Sequence, residues 1–343
     1  MRRESGCGTV SVPPAAGIAG PMKSESASPE DLPPLQLRKL RALDLEEPSG
    51  PGRPAHLSAA SGVVRRGEFV YVIGDDELHL GEFRLSSHLP GRLRRVLTGE
   101  LPDDQGERSG AKPDLEALTL LPPFTGHPYG ALLGLGSGSG PGRDRGFVCR
   151  LGADGAIAGE PAELDLGPLY RLLGEEAEEL NIEGAATMGE QMWLLHRGTS
   201  RKDPNLVAEL SLEQLMRSLQ DDRCLDADEL QSVRRYDLGD IDGVLLAFSD
   251  ATPVADRLLV FTASAEADDG RIRGSVVGTL GRDGTAQRLR TIDRRWKVEG
   301  VHAAIDAGVL DFTFVCDQDD PASPAPLLSA TMPLEGRLEY SAD

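Results

Sequence analysis

Positive charge is in short supply in this sequence. Thirty-six lysines and arginines stand against 56 aspartates and glutamates, for a formal charge of −20 at pH 7. Nucleic-acid binding draws on a cationic surface that displaces counterions from phosphates, and an anionic membrane surface selects the same sign, so the balance argues against both partners. Cysteine is scarce and scattered: Cys7, Cys149, Cys224 and Cys316 form no C-x-x-C pair, and none of the six histidines supplies zinc-site spacing. Cys149 and Cys316 sit in the strand-like runs GFVCRL and FTFVCDQ, where a buried reduced thiol is expected. No long apolar run exists either. The longest uncharged stretch, 118–142, is interrupted by Pro122, Pro123, Pro128 and several glycines, which a bilayer helix does not tolerate. Arg2 and Arg3 are not followed by the apolar segment of about 7–15 residues that an export signal needs. Reduced thiols without a signal or an anchor lead to the expectation of a cytoplasmic protein.

Familiar catalytic motifs are missing too. LGLGSGSGPG (133–142) lacks the glycine spacing and the closing Lys-Ser/Thr of a phosphate loop, and a strand follows it where a helix should. No G-x-S-x-G elbow presents a serine. Asp240-Ile241-Asp242-Gly243 lacks the length and final glutamate of an EF-hand loop.

What is present is turns and short strands. Forty glycines and 24 prolines punctuate a chain that is 39% hydrophobic, enough for a core at 343 residues. Residues 1–34 are rich in Ser, Pro, Gly and Ala and read as a disordered leader. Residues 35–336 read as one domain, and 337–343 as a tail.

Within that domain a phrase recurs: an acid or hydroxyl, then Gly or Ala, opening a small apolar strand. It appears at Ser61-Gly62, Glu116-Ala117, Glu183-Gly184, Asp242-Gly243 and Glu299-Gly300, at intervals of 55 to 67 residues. Each phrase precedes a stronger strand (68–76, 130–138, 191–198, 257–265, 309–317) and a third one (80–86, 146–152, 205–212, 274–281, 326–334). A more polar fourth strand closes four units, at 92–98, 161–167, 232–239 and 286–293. The fifth unit runs out of chain, but LQLRKLRALDL (35–45) has the texture of the missing strand. The expected fold is therefore an all-β five-bladed propeller whose ring is closed by its N-terminal strand. Six blades would require one more hidden in 86–115 or 152–182. Two helices are expected as decoration. One lies over 211–222, where Ser211 and Gln214 form a capping box; the other lies over 167–180, with Pro168 near its start.

The phrases KPDLEALT (112–119), LNIEGAA (180–186) and VEGVHA (298–303), with WLLHRG and VIGDD between them, resemble an uncharacterised group of bacterial propeller proteins. More distantly, the chain is similar to the calcium-dependent propeller hydrolases: phytase-like, gluconolactonase-like and strictosidine-synthase-like proteins. That resemblance, over roughly 35–334, implies a propeller with a calcium-dependent hydrolytic site. Fold alone does not carry activity.

In a propeller the first strand of each blade lines the channel, and the second returns to the same mouth. The phrase then sets Glu116, Glu183, Asp242 and Glu299 in a ring with Ser61, and brings Asp75, Asp76, Ser137, His196, Arg197, Ser264 and Asp317 near the same opening. Four carboxylates in one channel must take up protons or hold cations. Ca²⁺, with about 6–8 oxygen ligands, suits Glu116, Glu183, Asp242 and Glu299, and Mg²⁺ or Mn²⁺ is also admissible. Lys112, Arg197 and Lys297 are the cations that would balance the remaining charge. The expectation is a monomer that binds a small molecule at the mouth. If it is an enzyme, Glu183 or His196 acts as base toward water and Arg197 binds an anion, in metal-assisted hydrolysis of an ester, lactone or phosphoester. In the alternative, the acids only accept backbone hydrogen bonds that brace the hub of a binding scaffold.

Overall fold

The computed structural model describes residues 32–333, apart from Asp222, Asp268, Gln318 and Asp319. The segment read as a leader, bar its last three residues, and the tail over 337–343 lie outside the described residues.

The described chain forms five four-stranded antiparallel sheets arranged as a β-propeller. The first blade is β2 (Ala60–Arg66), β3 (Phe69–Gly74), β4 (His79–Arg84) and β5 (Arg92–Arg95). The second is β6 (Leu115–Leu121), β7 (Ala131–Gly136), β8 (Arg145–Arg150) and β9 (Ala162–Asp165). The third is β10 (Ile182–Met188), β11 (Gln191–His196), β12 (Asn205–Ser211) and β13 (Leu230–Tyr236). After a two-stranded hairpin, β14 (Asp240–Ile241) and β15 (Val244–Leu245), comes the fourth blade: β16 (Ala247–Ala255), β17 (Leu258–Glu266), β18 (Ile272–Gly281) and β19 (Ala286–Thr291). The fifth joins β20 (Val298–Asp306), β21 (Val309–Cys316) and β22 (Pro326–Pro333) to β1 (Arg38–Ala42), whose Lys39 pairs with Leu328. The ring thus closes through the N-terminal strand, as the displaced repeat unit requires.

Burial follows position in the blade. β3 and β7, FVYVIG and ALLGLG, are buried at every residue, because a middle strand is covered by the neighbouring blades on both faces. The outermost β19, AQRLRT, is only half-buried along its whole length. Five apolar clusters fill the interfaces between successive blades. One between the third and fourth contains Trp193, Phe248 and Phe261, all fully buried. Each such side chain contributes about 1.5–3 kcal/mol over its exposed state.

The hub explains the small residue in the repeated phrase. A Cβ added at Gly300 would lie 2.9 Å from the Gly62 Cα, and one at Gly184 2.9 Å from the Ala251 nitrogen. Inner strands of adjacent blades meet backbone to backbone there, so neither position has room for a Cβ.

Three expectations need correction. The fourth inner strand does not begin at Asp242: residues 240–245 form the β14–β15 hairpin, with Asp242 at its turn in a left-handed conformation (φ 53°). The helix expected over 167–180 stops early, as α2 (Gly167–Leu173). Gly174 follows, and the acids Glu175, Glu176, Glu178 and Glu179 would crowd the negative end of the dipole. A helix not foreseen precedes β6: α1 (Gln105–Ala111), capped by Asp104, whose carboxylate accepts the Glu107 N–H at 3.0 Å. The helix expected over 211–222 is present as α3 (Leu212–Asp221), with the Gln214 N–H donating to Ser211 Oγ at 3.4 Å. Residues 86–115 and 152–182 hold β5, α1, β9 and α2 and no further blade. No helix among the described residues is long and apolar enough to cross a membrane.

Candidate functional site: carboxylates at the channel mouth

Each inner strand carries a one-residue irregularity near its start. Pairing passes from Ala60 to Gly62, Leu115 to Ala117, Ile182 to Gly184, Phe248 to Asp250 and Val298 to Gly300. The residues passed over, Ser61, Glu116, Glu183, Ser249 and Glu299, form the ring. Ser249 stands where Asp242 was expected. Asp242 itself is exposed and pairs with Arg294 at 2.9 Å. The acid of the fourth blade is Asp250, one residue beyond the irregularity. It is fully buried and accepts the Ala251 and Val301 N–H groups at 2.7 Å each.

Glu116, Glu183 and Glu299 each follow, by two residues, another polar group: Asp114, Asn181 and Lys297. On the second blade Asp114 adopts φ 55°, uncommon outside glycine. It is held there by backbone bonds, its N–H donating to Asp75 O at 3.0 Å and its carbonyl accepting the Ser137 N–H at 2.8 Å. Its carboxylate receives Arg143 at 3.0 Å, Ser139 Oγ at 3.0 Å and Ser137 Oγ, and pairs with Lys112 at 2.6 Å. Lys112 also pairs with Asp75. One carboxylate oxygen from each of Asp75, Asp114 and Glu116 lies within 4.8 Å of the other two.

On the third blade Glu183 Oε1 accepts Asn181 Nδ2 at 2.7 Å and Arg197 at 3.4 Å. Arg197 reaches across to Glu266 of the fourth blade at 2.6 Å. On the fifth, Lys297 lies 3.4 Å from Glu299 and 4.0 Å from Asp317. Each of these three blades therefore sets a cation between carboxylates.

Crowding and burial shift these groups in a consistent way. Burial, reinforced by Glu183, Asp75 and Asp114, holds the Glu116 carboxyl well above the usual range. Burial also raises Glu183, against the pull of Arg197, and pushes Glu299 up to about 7 against Lys297. Asp75 is raised by burial despite Lys112. Asp114 alone ends below the usual range: burial opposes its charge, but Lys112, Ser137 and Arg143 outweigh it. The mouth thus sets one acid held below the usual range, Asp114, among four held above it.

His196 is not at the surface of the mouth. It is 2% exposed, its Nδ1 accepts the Asn181 N–H at 3.0 Å, and its Nε2 is 3.8 Å from the buried Asp203. Burial lowers its pKa against the pull of Asp203, so it is a neutral support beneath Asn181 and Glu183. Asp76 is engaged by Arg53 and Arg108 at 3.1 and 2.9 Å. Ser264 belongs to a buried hydroxyl chain with Ser249 and Ser275. Asp114, Arg143, Asp250 and Glu266 were not foreseen. For Asp114 the signal was at hand: KPDLE places it two residues before Glu116 and two after Lys112. A cavity of about 340 Å³ opens beside Asp75, lined also by Arg108, Lys112, Asp317 and Asp320.

A family of unknown function, DUF6929, matches residues 56–332, a span that takes in all five inner strands and runs into β22. The chain belongs to this family. No curated protein matches it by sequence. Among solved structures, the α-L-arabinofuranosidase PaAbf62A of Podospora anserina is similar with a TM-score of 0.51 and 11% identity, over 89% of this chain and 99% of that one. The catalytic domain of a Coprinopsis cinerea GH62 α-L-arabinofuranosidase has a TM-score of 0.46 at 9% identity, over 87% and 96% of the two chains. A Myxococcus xanthus glutaminyl cyclase has a TM-score of 0.44 at 11% identity, over 87% and 98%. At such identities the likeness concerns the fold, and for this DUF6929 member that fold is the five-bladed ring.

Proposed function

We propose that this DUF6929 protein binds a divalent cation, Ca²⁺ by preference, at Asp75, Asp114 and Glu116, and hydrolyses a small ester, lactone or phosphoester at the channel mouth. The observation that carries this reading is the convergence of three carboxylate oxygens within 4.8 Å on the second blade and its neighbour. The donor set suits a hard cation: carboxylates, with the Ser137 and Ser139 hydroxyls beside them. Asp75 Oδ1 is buried and accepts no hydrogen bond, so one ligand oxygen stands ready. Lys112, paired with Asp75 and Asp114, is the cation that a bound divalent ion would displace from those carboxylates.

A bound divalent cation supplies Lewis acidity, polarising the ester or phosphoryl oxygen of the substrate. Glu299, sharing a proton near pH 7, is suited to accept one from water and return it to the leaving group. Arg197 neutralises Glu183 and offers a guanidinium to an anionic group. His196, too buried to meet substrate, holds Asn181 and through it Glu183.

The test is hydrolysis of p-nitrophenyl acetate, p-nitrophenyl phosphate and gluconolactone, with and without chelator, by the wild type and by Glu116→Gln. The reading requires turnover of at least one that chelator and Glu116→Gln both abolish. Turnover indifferent to both would contradict it. A second reading, a non-catalytic scaffold, is favoured by the Glu183–Arg197–Glu266 bridge between blades. Under it Glu183→Gln shifts melting and nothing else.

A further inference from the structure

The segments leaving β11 and approaching β16 enclose a second cavity, of about 290 Å³, lined by Pro204, Leu238, Leu245 and Leu246 together with Arg201 and Arg235. Most polar groups of its wall are satisfied within the protein; the buried Tyr236 hydroxyl is the exception. Asn205 donates to the Leu246 carbonyl at 2.9 Å and accepts the Gly198 and Phe248 N–H groups at 3.1 and 3.0 Å. The Gly239 N–H donates to Asp237 at 2.9 Å. What remains is apolar surface and two guanidinium groups with donors to spare. Arg201 stands 3.8 Å from Asp237, too far for a hydrogen bond, and Arg235 makes a 3.2 Å contact with Glu176. Both are exposed pairs of the kind that hold their partners weakly. The lining itself holds two guanidinium groups against one acid, Asp237, with Glu176 outside it beside Arg235, in a chain of net charge −20.

We propose that this cavity binds a small monocarboxylate with a short apolar body, its head taken by Arg201 and Arg235 and its body laid against Leu238, Leu245 and Leu246. Guanidinium donors match a carboxylate in geometry as well as charge. A dianionic phosphate would meet Asp237 and Glu176 as well as the arginines, so a single negative charge fits better. The volume lies at the lower end of the roughly 300–1,000 Å³ range of ligand pockets, which suits a short body. The site is independent of the carboxylate mouth and of any cation there.

Calorimetry of the full chain with sodium octanoate tests this, with acetate, octylamine, octanol and octyl phosphate as comparisons. One octanoate per chain is expected. Each comparison, and octanoate with the Arg201→Gln/Arg235→Gln double variant, should bind at least about tenfold more weakly. The double variant should melt as the wild type does, since both side chains are exposed, and chelator should leave octanoate binding unchanged. Absence of saturable octanoate binding, or equal binding by the double variant, would overturn the proposal. So would octylamine, octanol or octyl phosphate binding as tightly as octanoate; octanol in particular would assign the cavity to a neutral apolar partner. Loss of octanoate on chelation would place it at the mouth instead.

Discussion

The Asp250 carboxylate of the fourth blade accepts the Val301 N–H of the fifth at 2.7 Å, at a position with no solvent exposure. It also caps its own neighbour, the Ala251 N–H, at 2.7 Å. Asp250→Ala leaves two buried backbone donors unsatisfied and should cost about 2–4 kcal/mol. Asp250→Asn, which retains an acceptor oxygen, should cost less. Urea titrations of the two variants check the order; an Ala variant as stable as the wild type would remove Asp250 from the account of ring cohesion.

Gly184 approaches the same region from the third blade. Because its Cβ would fall 2.9 Å from a backbone nitrogen, Gly184→Val should destabilise by about 1–3 kcal/mol or more through forced separation of the inner strands. A Val variant with the wild-type denaturation midpoint would show that the hub has slack there.

These positions also mark how far the sequence was legible. The acid-Gly phrase stood out because close backbone contact at the hub leaves no room for a Cβ at Gly184 or Gly300, the latter set against Gly62. In the fourth blade, Asp242-Gly243 imitates the phrase while serving a hairpin turn, and the working segment Ser249-Asp250-Ala251 moves the acid one residue along. Ring closure was readable because β1 keeps the basic-apolar texture of the other fourth strands. Arg143 and Glu266 were not: Arg143 acts from the loop before β8, and Glu266 from the end of β17 reaches Arg197 of the neighbouring blade, contacts that no periodicity records. α1 escaped notice because QGERSGA contains two glycines and too few apolar residues to show a period.

Arg197 bridges Glu183 and Glu266, so its removal leaves two acids without their partner. Arg197→Met should cost about 2–4 kcal/mol, and Glu183→Gln in that background should recover part of it. A double-mutant cycle measures the coupling; a coupling near zero would mean the bridge is incidental. Arg197→Lys should rescue poorly, because one ammonium cannot span two blades as the guanidinium fork does.

Glu299, raised to about 7, sets a pH dependence of definite sign. An acid whose folded pKa exceeds its unfolded value, near 4.3, binds its proton more tightly when folded. Its contribution is therefore fully present below about pH 4 and is lost as pH rises through 7. Glu116 and Glu183 shift in the same direction. Stability should fall between pH 5 and 8, and Glu299→Gln should remove a share of that fall on the order of 3 kcal/mol. Chemical denaturation at both pH values reads the difference; an unchanged slope in the variant would show that Glu299 does not carry it.

The cation site is tested most directly by calcium calorimetry on protein stripped with chelator, comparing the wild type with Asp114→Asn and Glu116→Gln. The account predicts one Ca²⁺ per chain in the wild type, with a rise in stability of about 2.7 kcal/mol at a hundredfold excess over Kd, and loss of both in each variant. Stripped wild-type protein that takes up no Ca²⁺, Mg²⁺ or Mn²⁺, and melts alike with and without them, would contradict it. The carboxylates of the mouth would then be the braces of the ring.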